Sequence, residues 1–231
     1  MNVKDKKNEN GNAVSKFARI ARPIIVDPIR SDYLDESVIR SRFYNALNCS
    51  ELHDKDQKVP LVLGITSAGN REGKTLTAAN LAVSYVLGHK RKTVIVDMNM
   101  KNPGLHRIFG AEQQPGLTES IQKGSIFLSQ TKIDGLYLLA AGKTNKNKIS
   151  IDDYNSMGSI FNILKKEFEI IILDMNAVHP IDEFSSGCVN ETDKLMIVVD
   201  SKKTKYNTVK RAFTHIRPDK ISGFILNNVE A

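Results

Sequence analysis

The stretch that most constrains this chain runs from Val62 to Leu87, VLGITSAGNREGKTLTAANLAVSYVL. A short apolar strand (62–65) enters a loop, the loop closes on Gly73-Lys74-Thr75, and an Ala/Leu-rich helix (76–87) leaves it. A strand, a glycine-bearing loop and a helix start gather backbone amides and the positive end of a helix dipole around one point. That is the layout of a phosphate-binding loop. In it, Lys74 reaches the outer phosphates and the Thr75 hydroxyl is a magnesium ligand. The candidate nucleotide contacts are therefore Gly69, Glu72, Gly73, Lys74, Thr75 and Leu76. The strict spacing G-x-x-x-x-G-K-[ST] fails at its first position, where Ala68 stands and Gly69 follows one place late. The competing reading, a Lys and a Thr opening a surface helix after a Gly73 turn, does not account for the strand before and the helix after.

Further apolar runs follow at 93–96, 135–140, 170–173, 194–199 and 221–226. Helical spacing separates them at 116–124, at 153–166 (Met157, Ile160, Ile163, Leu164) and at 206–216. Continuous rather than alternating apolar strands between helices predict an α/β fold, a mostly parallel sheet with helices on both faces. Ligands of such sheets sit at the carboxyl ends of the strands. The residues there are the loop 66–75, Asp97, Asp174 and Asn227. Two carboxylates arriving beside a phosphate loop suit magnesium binding and water positioning. Either alone could be a helix or loop cap, a common use of Asp. Both together with the GKT triplet favour a Mg-nucleotide site.

With 231 residues the chain is long enough for one full core, and 41% apolar with 26% charged residues is ordinary for a globular protein. No run approaches the ~20 apolar residues of a membrane span, and MNVKDKKNENGN lacks the apolar core of a secretory signal. Cys49 and Cys188 have no metal spacing, so the expectation is a cytoplasmic protein with reduced thiols. Residues 1–32 are polar at first, then carry Pro23 and Pro28, and are expected to form a flexible arm. The nucleotide-binding domain is expected over 33–231, opening with a helix at 33–49 and a charged linker at 53–58. A net charge of +7 is concentrated in lysine clusters at 90–92, 143–148 and 202–205. No aromatics are interleaved with them, so nucleic acid is a poor fit and a solvated or partner-binding face a better one.

The runs TSAGNREGKT…ANLA, TVIVDMNMKNPGLHRIFG, GLTESI, GLYLLAAG, FEIIILDMNA and GFILNN resemble, in order and spacing, the bacterial tyrosine kinases. These belong to the P-loop ATPases with a deviant Walker motif that include the Min and Par positioning proteins. The resemblance covers the chain from about Glu36 onward. It implies ATP or ADP with Mg2+ as cofactors. It implies Gly73, Lys74 and Thr75 as phosphate and magnesium residues, and Asp97 as the first aspartate of the second acidic motif, orienting or deprotonating the attacking group. It further implies Asp174 as the Walker B magnesium residue and Asn227 as a position near the adenine. It also implies a role in exopolysaccharide or capsule synthesis and export, through the cytoplasmic segment of a membrane polysaccharide co-polymerase that recruits the protein to the membrane. Min and Par proteins carry an extra lysine early in the loop, which is absent here. Self-association is implied by a motif E-x-x-R-x-x-R, of which Glu36 and Arg42 fit while Ile39 replaces the middle arginine.

The chain departs from the family pattern in chemistry-bearing places. Asn99 replaces the second acidic-motif aspartate, Asn70-Arg71 stands for Pro-Gly, and the Walker B tail reads Asp174-Met175-Asn176-Ala177. The six tyrosines (Tyr33, Tyr44, Tyr85, Tyr137, Tyr154, Tyr206) are scattered rather than clustered after the last strand. These departures imply weak or lost autokinase activity. An active kinase phosphorylating a partner in trans and a Par-like positioning ATPase are the alternatives.

Overall fold

The computed structural model describes residues 24–25, 60–143, 151–179 and 186–228. The expected arm (1–32) lies outside them but for one residue pair, and the helix at 33–49 and the linker at 53–58 lie outside them entirely. The strands are β1 (Ile24–Ile25), β2 (Leu61–Ser67), β3 (Thr93–Asp97), β4 (Ser129–Gln130), β5 (Leu136–Leu139), β6 (Ile170–Asp174), β7 (Lys194–Asp200) and β8 (Ile221–Asn227). The helices are α1 (Lys74–His89), α2 (Leu105–Ile108), α3 (Leu117–Lys123), α4 (Ile151–Glu167), α5 (Ser186–Glu191) and α6 (Tyr206–Phe213). One sheet takes all the strands in the order β1-β4-β5-β3-β6-β2-β7-β8, and every neighbouring pair is parallel except β4 with β5.

The strand β2, which leads into the loop 68–75, lies inside the sheet between β6 and β7, and every one of its residues is buried. Its alternate side chains feed two cores. Leu63 and Ile65 meet Ala78, Leu81, Ala82 and Tyr85 of α1 together with Ile95, Ile172 and Val198. Val62 meets the other face, where Met157, Ile160, Phe161 and Leu164 of α4 and Ala212 of α6 pack on Val94, Ile171 and Ile197. Burying a Leu or Ile side chain stabilises by about 1.5–3 kcal/mol. Small residues along α1 (Ala78, Ala79, Ala82) let the helix lie close to the sheet, which fixes its first turn over the carboxyl end of β2.

The continuous apolar pattern holds for β2, β3, β6 and β7, all buried apart from Lys194 at the start of β7. It fails for β8, whose residues alternate between intermediate and exposed because β8 is the edge of the sheet. A register irregularity opposite Leu195 and Met196 aligns Phe224 with Ile197 and Leu226 with Val199, and leaves these two side chains 45% and 63% exposed. The short elements β1, β4, α2 and α5 were not foreseen; two to six residues carry too little periodicity to reveal themselves.

Leu63 is wholly buried. Leu63→Ala is expected to lower stability by about 2–5 kcal/mol. Urea unfolding should show this as a lower midpoint at unchanged slope.

Candidate functional site

Three neighbouring strands end at one place. The β3–β6 register sets Asp97 directly beside Asp174, and β2, on the far side of β6, delivers the loop and the start of α1. Both carboxylates are fully buried, and Lys74 and Thr75 at the head of α1 act on them. The two acids differ in how they are held. Asp97 accepts three backbone N–H groups: Oδ1 from Asn99 at 3.1 Å, Oδ2 from Gly104 at 3.0 Å and Leu105 at 3.1 Å. It therefore does cap the start of α2, as an Asp commonly does. Neither oxygen of Asp174 has a hydrogen-bond partner that meets bonding geometry.

Burial raises the pKa of both groups. For Asp97 the amides of Leu105, Gly104 and Asn99 and the Lys74 charge oppose that rise. For Asp174 the Asp97 charge adds to it, against Lys74 and the Thr75 hydroxyl. One buried ammonium thus faces two buried carboxylates, and one of these is short of partners. An uncompensated buried charge of this kind costs several kcal/mol. A divalent cation would cancel the deficit, and the donors at hand are all oxygens: the Thr75 hydroxyl, Asp174 and Asp97. Hard oxygen donors fit magnesium. The residues present therefore fit the ion that the sequence implied.

The loop itself is tightly strung. The Ser67 hydroxyl donates to the Gly69 carbonyl at 2.6 Å, and the Val178 and His179 amides donate to the carbonyls of Ser67 (2.9 Å) and Ala68 (3.2 Å). Gly73 turns the chain into α1 at φ 93, and a Cβ there would collide with the Asn227 amide. Arg71 is exposed and left-handed at φ 63, a conformation costing an L-residue about 1–2 kcal/mol. That is the physical reason glycine suits this position; nothing in the structure explains the arginine.

The other expected contacts are distributed unevenly. The Leu76 side chain is 39% exposed, so only its backbone can serve a phosphate. Glu72 is buried, with its carboxyl raised by desolvation and held by the Thr204 hydroxyl and the amides of Gly69 and Ala68. Asn227, implied near an adenine, donates from Nδ2 to the Glu72 carbonyl at 3.0 Å. Met98 and Met175 are core residues, and the His179 ring packs edge-on against His215. Asp182, for which the sequence suggests a local hydrogen bond and no chemistry, lies outside the described residues. Two site-facing residues escaped the sequence reading, Asp200 and Thr204. Asp200 carries the same signal as Asp97 and Asp174, an acid ending an apolar strand; Thr204 carries none.

No family model matches the chain. Among curated proteins it is 24% identical over 210 residues to the putative tyrosine-protein kinase CapB of Staphylococcus aureus, covering 88% of this chain and 90% of that one. It is 26% identical over 224 residues to the succinoglycan biosynthesis transport protein ExoP of Rhizobium meliloti (strain 1021), which is 93% of this chain but 27% of that protein. Among solved structures the chimerical protein CapA2B2 superposes with a TM-score of 0.74 at 22% identity, over 90% of this chain and 95% of the other. The septum site-determining protein MinD from Pyrococcus horikoshii, solved with Mg-ADP, superposes at 0.57 and 16% identity over 72% and 69%. The fold is that of the MinD-type P-loop ATPases. Among the described residues no helix is long and apolar enough to cross a membrane.

In the protein free of nucleotide and magnesium, Asp97 and Asp174 hold protons more tightly folded than unfolded. The stability this gives is complete below the unfolded carboxylate value of about 4 and is lost as pH rises through the raised native values. These two acids should lower the thermal midpoint from about pH 5 to about pH 8, against the gain from His106 and His179, which burial holds below the ordinary imidazole value, and Asp174→Asn should remove much of that lowering. A wild-type midpoint that changes with pH just as that of Asp174→Asn does would contradict the assignment.

Proposed function

We propose that this chain, a homologue of the bacterial tyrosine kinases, binds Mg-ATP and Mg-ADP at the loop 68–75 and serves polysaccharide synthesis and export with weak or lost autokinase activity. The observation carrying the nucleotide reading is the fully buried Asp174 carboxylate beside Lys74 and Thr75 at the head of α1, neither of its oxygens in a well-formed hydrogen bond among the described residues. Thr75, Asp174 and Asp97 are the residues that would hold magnesium, and the ion, when bound, neutralises phosphate charge. Lys74 and the loop amides bind and orient the outer phosphates. Asp97, anchored by three amides, is poised to orient an attacking hydroxyl or water rather than to swing.

Weak chemistry follows from Asn99, which is buried next to the acid pair but brings no charge. Removing one carboxylate from a phosphoryl-transfer site lowers rate far more than it lowers ground-state binding, because the loop and its lysine supply the phosphate affinity. The names of the relatives, a kinase CapB and a succinoglycan transport protein, support the polysaccharide role. A membrane co-polymerase whose cytoplasmic segment docks near the nucleotide is the partner we propose, with residues 33–231 as the nucleotide-binding domain, 1–32 as its arm, and self-association through the partial motif at Glu36 and Arg42.

Calorimetry with Mg-ADP and Mg-ATP on wild type and Lys74→Ala tests the site. Removing the ammonium should weaken binding by on the order of 10- to 100-fold. Wild type that binds neither nucleotide would refute the reading. Labelled ATP, with and without a tyrosine-bearing partner, tests the chemistry; rapid label transfer or hydrolysis would refute weak activity and favour a kinase acting in trans.

A further inference from the structure

The phosphate loop is gripped by two strands that do not flank it in sequence. Glu72, only 6% exposed, sits at the junction. Its Oε2 accepts the Ala68 N–H at 3.1 Å, closing the loop on itself, and its Oε1 accepts the Thr204 hydroxyl at 2.6 Å. Its carbonyl accepts Asn227 Nδ2 at 3.0 Å. One residue of the loop thereby gathers the carboxyl ends of β7 and β8.

Thr204 is itself held by a turn built on Asp200. The Thr204 N–H donates to the Asp200 carbonyl at 2.9 Å and the Lys202 N–H to Asp200 Oδ1 at 2.9 Å. Asn228 Nδ2 donates to Asp200 Oδ2 at 2.8 Å, and the Ser201 N–H to the Asn227 carbonyl at 2.9 Å. The turn 200–204 and the end of β8 are thus one hydrogen-bonded unit, and Glu72 is its contact with the loop. A carboxylate beside a site for phosphate is electrostatically adverse, and packing alone would be served as well by an apolar side chain. What a carboxylate adds is directed, charge-assisted hydrogen bonding to two separate partners.

We propose that Glu72 is a positioning residue that couples the turn 200–204 to the phosphate-receiving shape of the loop, with Thr204 as the link. The proposal rests on the nucleotide reading above and extends it. In a parallel sheet the ligand lies over the carboxyl ends of the strands. Contacts made by the base side of a nucleotide on the ends of β7 and β8 then reach the loop amides through Glu72, and phosphate in the loop orders the turn in return.

The test uses Mg-ADP and Mg-tripolyphosphate, which has no base, in calorimetry on wild type, Thr204→Val, Thr204→Ser and Glu72→Gln, with melting curves confirming that each variant folds. Thr204→Val should weaken both ligands by on the order of 10-fold, the value of a hydrogen bond to a charged group. Thr204→Ser keeps the hydroxyl and should keep wild-type affinity. Adding Thr204→Val to Glu72→Gln should cost little more than Glu72→Gln alone. A loss confined to Mg-ADP would mean that Thr204 touches the base directly and would overturn the coupling. So would unchanged affinity in Thr204→Val, or wild type that binds Mg-ADP but not Mg-tripolyphosphate. Lys74→Ala separates the two levels: if it weakens Mg-ADP binding on the order of 10- to 100-fold while Thr204→Val leaves it intact, the nucleotide site stands and the coupling falls.

Discussion

Two carboxylates, side by side at the ends of adjacent parallel strands and sealed from water, are the constraint around which the rest of this structure is arranged. A parallel register that pairs Asp97 with Asp174 costs free energy in isolation. The buried ammonium of Lys74 offsets part of it, and three amides at the entry to α2 offset more, but only on the Asp97 side. The asymmetry divides the labour. Asp97 is anchored by backbone amides, whereas neither oxygen of Asp174 is held in this way.

The parallel sheet makes this geometry cheap to build. Strands whose side chains are buried on both faces place no demand on their ends beyond leaving the sheet, so the polar chemistry can collect there. β2 lies between β6 and β7, so its loop touches the extension of β6 through the Ser67 and Ala68 carbonyls and the ends of β7 and β8 through Glu72. A loop on an edge strand could not be braced from both sides.

Much of this was legible in the residues. Unbroken apolar runs identified the buried strands, and an acid after each of two runs located Asp97 and Asp174 without knowledge of their register. Gly73-Lys74-Thr75 located the loop, although α1 begins at Lys74 rather than Leu76 because the left-handed Gly73 already completes the turn. What stayed hidden depends on contacts across long sequence separations. Thr204 lies 132 positions from Glu72 and Asn227 lies 155 from it, and no local pattern announces either pairing. The exposure of β8 was hidden for a related reason: GFILN is as apolar as the inner strands, and only sheet order makes it an edge. That the two aspartates would be held so unequally was hidden too, since it depends on the path of 99–105 back over Asp97.

The half-covered β8 has a kinetic meaning. Native proteins open locally at free energies well below that of global unfolding, and the segments that open first bury the least apolar surface. β8 is such a segment, with a single strand neighbour among the described residues and two large side chains partly exposed, yet it carries the amide that grips the loop at Glu72. Opening of this one strand would therefore free the Glu72 carbonyl from Asn227 while the central sheet stays intact. The bracing of the loop 68–75 from that side thus depends on the least covered edge of the described sheet.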